Sequence, residues 1–198
     1  MSKTNEKTFR LVGLGMLTAI IVALQVITTY FPTKPFAITL ALIPIVIGAA
    51  LYGPKAGAYL GAVFSVVVII MCIFGVDVGG AMVWNANPAL CVIMCMLKGT
   101  MAGFVAGLVY SALVKKNNVL GAAAAAICSP IVNTGIFYIG MLLFFRPVLE
   151  AWVGEGGNLL YGIIFTLTGV NFLVELVVNI VLVPIVVKVV DAVKKNIG

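Results

Sequence analysis

Between Ala56 and Phe74 the chain runs nineteen residues without one charged side chain. Wound as a helix at 1.5 Å per residue, such a run covers about 28 Å, close to the thickness of a bilayer's hydrocarbon core. Five further stretches repeat or approach the pattern, at about Leu11 to Tyr30, Phe36 to Leu51, Pro88 to Val114, Leu120 to Phe145 and Leu159 to Val187. The composition agrees: 63% of the residues are hydrophobic and 9% charged, with mean hydropathy +1.24, whereas a soluble domain carries roughly 25% charged residues. The expected fold class is an all-α integral membrane protein. Its residues 1–198 form a single domain, a bundle of six transmembrane helices embedded in the lipid bilayer.

The breaks between stretches are local chemistry. Phe31-Pro32-Thr33-Lys34-Pro35 ends the first, because two prolines so close cannot continue a helix. Tyr52-Gly53-Pro54-Lys55 is a tight turn between the second and third. Gly75 to Asn87 reads as a glycine-rich loop before the fourth, Pro130 as an interruption of the fifth, and Arg146 to Asn158 as a polar loop before the sixth. The first stretch follows Lys7 and Arg10 as a signal peptide would, but no small-residue cleavage site follows it, so it reads as a retained helix.

Twelve Lys plus Arg against six Asp plus Glu give a net charge of +6. The positive charges flank apolar runs, which reports membrane orientation and not a nucleic-acid surface. Lys3, Lys7, Arg10, Lys55, Lys115, Lys116, Lys188, Lys194 and Lys195 fall on one side of six alternating passes. Only Lys34 and Arg146 fall on the other, with Asp77, Glu150 and Glu155. The positive-inside rule then predicts that both termini are cytoplasmic.

Enzyme chemistry has little to stand on. There is no Gly-x-x-x-x-Gly-Lys-Ser/Thr phosphate loop and no histidine, so loop-based ATP hydrolysis, histidine triads and histidine metal sites are excluded. The chain is expected to be no enzyme and to use no cofactor or metal. Cys72, Cys91, Cys95 and Cys128 lie in or against apolar segments and read as buried thiols. Glycines at one-turn spacing, Gly53, Gly57 and Gly61 and then Gly99, Gly103 and Gly107, read as stripes that pack helices within the chain.

The polar residues inside the apolar runs are the candidate ligand-binding groups. Lys98 and Glu175 each carry a charge whose burial in lipid costs at least ~2.5–3.5 kcal/mol on insertion scales, so they need partners or a wet cavity. An ion pair between the two is the structural alternative. Asn171, Glu175 and Asn179 fall on successive turns of one helix face. Asn133 stands just past Pro130, where a helix leaves carbonyls free. Trp84, Asn85 and Asn87 lead into the fourth stretch, with Asn87 placed to cap it ahead of Pro88. The candidate ligand set is Trp84, Asn85, Asn87, Lys98, Asn133, Asn171 and Glu175.

These features together resemble the substrate-binding S components of energy-coupling factor (ECF) transporters. The residues carrying the resemblance are Leu17 to Leu24 and the join Ile43-Pro44-Ile45-Val46-Ile47-Gly48-Ala49-Ala50-Leu51-Tyr52-Gly53-Pro54-Lys55-Ala56-Gly57. The resemblance implies that a water-soluble vitamin binds from the outer side of a prokaryotic plasma membrane. It also implies that a T component and two ATPase subunits are the partners, with no nucleic acid involved. The family's Ala-x-x-x-Ala docking pattern falls on Ala19 and Ala23. Asn87-Pro88, Lys98-Gly99 and Asn133-Thr134 look most like the pantothenate-type branch. The alternative reading is a small secondary transporter working as a homo-oligomer. That class usually shows two related halves with broken helices, and no repeat is evident.

Overall fold

The computed structural model describes residues 3–30, 39–153 and 169–197, and these are helical almost throughout. Nine helices follow in chain order among the described residues: α1 (Lys3–Tyr30), α2 (Leu42–Tyr52), α3 (Pro54–Ile73), α4 (Val78–Ala86), α5 (Pro88–Leu113), α6 (Asn118–Phe144), α7 (Arg146–Val153), α8 (Gly169–Val181) and α9 (Val183–Ile197). Four of them, α1, α3, α5 and α6, are long and apolar enough to cross a membrane, and the bent pair α8 and α9 makes a fifth if counted as one span. The second stretch is shorter than the sequence suggests. Its helix starts at Leu42 and has 11 residues, about 16 Å of rise, while 36–38 lie outside the described residues.

Two helices form the centre. α3 and α5 pack along most of their length, α6 lies on the other side of α5, and α2 wedges against α3, α5, α6 and α9. A Cβ placed on Gly57 or Gly61 would overlap the carbonyl oxygen of Gly103 or Gly99, and one on Gly107 would stand 2.5 Å from Pro54 Cα. The glycine stripes therefore face each other as an internal seam. Across it the Ser65 hydroxyl donates to Cys95 O at 2.6 Å. Backbone approach of this kind is what holds helices together in lipid, where no hydrophobic force separates them from the solvent.

Gly53 makes the sharp corner from α2 to α3 at φ +89°, a conformation that glycine adopts without strain. At that same end Arg10 Nη2 donates to Tyr52 O at 3.2 Å, and Tyr110 Oη donates to Asn118 Oδ1, whose amide donates in turn to Asp191 Oδ1, both at 2.6 Å. These bonds tie α1 to α2, and α5 to α6 and α9. The end they tie also carries Lys55, Lys115 and Lys116.

Three expected breaks are built differently. The glycine-rich segment holds a helix, α4, because Asp77 caps it by accepting from Gly80 N at 3.2 Å. Gly79 and Gly80 are buried there, and a Cβ on Gly80 would overlap Cys72 Sγ. The glycines therefore record close packing and not a flexible loop. Pro130 does not interrupt α6, which runs continuously from its Asn117 cap to Phe144. Arg146 opens α7, braced on its exposed face by a 3.0 Å Arg146–Glu150 ion pair, with 154–158 outside the described residues. The sixth stretch bends by 47° between α8 and α9. Pro184 has no N–H to give the preceding turn, which accounts for the bend. The rest of that stretch, 159–168, is outside the described residues.

Candidate functional site

The site starts from α5. Asn87 accepts Leu90 N at 3.1 Å as its cap, with Pro88 at the first helical position. Lys98 then falls ten residues along, about 15 Å below the helix start. On the antiparallel α6, Asn133 lies eleven residues from Phe144, about 16 Å from that end, so the two share a level. A helical side chain tilts toward its own N-terminus. Lys98 therefore reaches back toward the start of α5, where its Nζ stands 5.0 Å from the centroid of the Phe137 ring. A cation over an aromatic face is stabilised by the ring quadrupole, by about 0.5–2 kcal/mol depending on desolvation.

Ser129, Asn133 and Phe137 occupy successive turns of one α6 face. Asn133 is 5% exposed and its Oδ1 has no hydrogen-bond partner; the buried Ser129 Oγ has none either. An orphaned buried acceptor costs about 1–3 kcal/mol. Two such acceptors fall on consecutive turns of the helix face that carries Phe137 under Lys98.

Glu175 comes from α8. It is buried, and its Oε1 accepts the backbone N–H of Thr39 at 2.9 Å. No ion pair joins it to Lys98, although the Lys98 charge acts on it through space. Asn179, one turn on, donates to Glu175 O at 2.7 Å and is helix glue. Asn171 has helical backbone in α8, but its side chain lies outside the described residues.

Toward the start of α5, Trp84 on α4 is half-buried against the core while Asn85 is exposed. Asn87 is exposed and its carbonyl oxygen is occupied by the cap. Asp77 is the acidic group at this level. Burial pushes its carboxyl above the usual range, while Gly80 N–H and the Lys98 charge pull it down.

The structure thus brings Lys98, Asn133 and Glu175 toward one region, leaves Asn85 and Asn87 exposed, and adds Phe137, Ser129, Asp77 and Thr39. An Asp three residues ahead of a helical N–H is a readable cap signal. Nothing in the sequence pairs Thr39 with Glu175, 136 positions apart.

A family model described as the substrate-specific component of ECF transporters matches residues 9–187. The chain belongs to this family. No curated protein matches it. ECF substrate-specific components bind small-molecule substrates and work with T and ATPase subunits, so the family is one of transporter binding subunits and not of enzymes. In this ECF component Ala19 and Ala23 stand exposed on α1, beside the exposed Met16, Ile20 and Ile27.

Proposed function

We propose that this chain is the S component of an ATP-driven importer in a prokaryotic plasma membrane, and that it captures a small carboxylate-bearing vitamin, pantothenate being the best match. The reading rests on the orphaned Asn133 Oδ1 at the level of Lys98. Lys98 takes an anionic group, and Asn133 and Ser129 accept from a hydroxyl or amide N–H of the same ligand. Pantothenate carries a carboxylate, an amide and hydroxyls within one flexible chain. By their place in the sequence Asn171, Trp84, Asn85 and Asn87 are the further candidate ligand contacts.

Counting the short α2 as a pass beside α1, α3, α5, α6 and the bent pair, the proposed topology has six passes, both termini in the cytoplasm and the site toward the outside. The gathering of Arg10, Lys55, Lys115 and Lys116 at the tied end supports that orientation. Native mass spectrometry of gently purified protein should reveal a co-purified acidic vitamin. Right-side-out vesicles should bind it, and Lys98→Met should weaken binding roughly ten- to a hundredfold, the loss of a charge-assisted hydrogen bond of ~1.5–3 kcal/mol. Undiminished binding by the variant, or binding confined to inverted vesicles, sinks the reading.

Ala19 and Ala23 dock the T component, and two ATPase subunits complete the complex. Their methyl groups leave a shallow strip on an α1 face that the other described residues leave exposed. Replacing both with Leu should abolish co-purification of the T component and leave vitamin affinity unchanged. Normal assembly by the double variant would reduce the strip to lipid-facing surface.

A further inference from the structure

The register of α5 against α6 accounts for the open acceptors of the candidate site. A Cβ on Gly140 would stand 2.7 Å from Met94 Sδ, so these two positions face each other. One turn further along α5, and three residues back along α6, Lys98 Nζ lies 5.0 Å from the centroid of the Phe137 ring. The two helices are antiparallel neighbours, and each further turn sets the next pair opposite: Ala102 with Asn133, then Ala106 with Ser129. Both alanines are fully buried. A methyl group therefore stands across from each acceptor, and among the described residues nothing donates to Asn133 Oδ1 or Ser129 Oγ. Serine at either alanine position would supply the missing O–H.

We propose that Ala102 is a specificity-determining residue. By presenting a methyl group where a donor would fit, it reserves Asn133 Oδ1 for an N–H or O–H of the ligand, and so fixes the direction in which the ligand lies. This rests on the reading of Lys98 and Asn133 as the capture site. Along the paired faces the cation stands at the end nearer Asn87, and the acceptors follow it at one-turn steps of about 6 Å. A ligand lying lengthwise meets Lys98 with its anionic end. Its donors then meet Asn133 first and Ser129 one turn deeper. The ligand class is therefore an elongated monoanion whose donor groups sit on the tail remote from the charge. A tail without donors leaves Asn133 Oδ1 buried and unpaired, which is how a site built to hydrogen-bond its ligand turns away analogues that lack the group.

Full-length protein in lipid nanodiscs supplies two readouts, the thermal midpoint without ligand and the affinity for pantothenate by calorimetry. Ala102→Ser sets a hydroxyl opposite Asn133 Oδ1, so it should raise the midpoint by about 2–4 °C, the shift that one added hydrogen bond makes in a chain of this size. In an Asn133→Leu background the same substitution has no acceptor to satisfy and should bring no rise. Pantothenate affinity of Ala102→Ser should fall about tenfold, because ligand and hydroxyl compete for one oxygen. A midpoint change of equal size in both backgrounds, upward or downward, overturns the proposal, since the two positions then do not face each other. A rise that depends on Asn133 but leaves pantothenate affinity unchanged overturns it as well, because the oxygen is then not held for the ligand. Should the unsubstituted protein bind no pantothenate while the Asn133-dependent rise is present, the choice of cargo fails and the facing pair is upheld, so the two readings fail separately.

Discussion

Gly61→Leu yields no monodisperse protein in a detergent size-exclusion profile, while Leu at the lipid-facing Tyr59 position leaves the profile unchanged. A side chain at Gly61 meets backbone, the Gly99 carbonyl, and backbone has no rotamer to give. Tyr59 is exposed on the opposite face of α3. Even Gly61→Ala should cost about 1–3 kcal/mol, the range for overpacking a filled core, read as a lower thermal midpoint. If Gly61→Leu behaves like the Tyr59 variant, the two helices are not held by backbone contact.

Glu175→Leu is the second large effect. It leaves the Thr39 N–H buried without an acceptor, a loss of about 1–3 kcal/mol, and removes the carboxyl on which the Lys98 charge acts through space. Glu175→Gln separates these roles, because the amide oxygen still accepts from Thr39. Thermal stability should therefore be kept by Gln and lost by Leu. Vitamin affinity, measured by calorimetry, should fall less with Gln than with Lys98→Met. Equal destabilisation by Gln and Leu would mean that charge, not the bond to Thr39, is what the fold needs at this position.

Helix starts were legible where proline or a capping side chain marks them. Pro54 and Pro88 open α3 and α5 within two residues of where the apolar runs begin. The same logic fails where a residue is chosen by a distant neighbour. Gly79 and Gly80 read as a loop because glycine is a poor helix former, yet both are buried in α4 and Gly80 leaves room for the Cys72 sulfur. Pro130 reads as a break because its missing N–H costs a hydrogen bond, but surrounding packing keeps α6 continuous. In the candidate site, Lys98 and Glu175 were visible because charge in an apolar run is costly. Phe137 was not, since an aromatic on an apolar helix has no mark until a cation is set above its face. Thr39 was hidden too, because its contribution is a backbone N–H, which every residue but proline possesses.

The seam between α3 and α5 divides the chain into parts of unequal tolerance. Its four facing glycines admit no larger residue, whereas Ser129, Asn133 and Phe137 belong to α6, which packs on α5 and α2 and carries none of the seam glycines. On the proposed reading, anyone redesigning this protein to carry a different cargo would keep the first as a fixed chassis and write the new specificity into the second, exchanging one guest for another without re-solving how the helices meet.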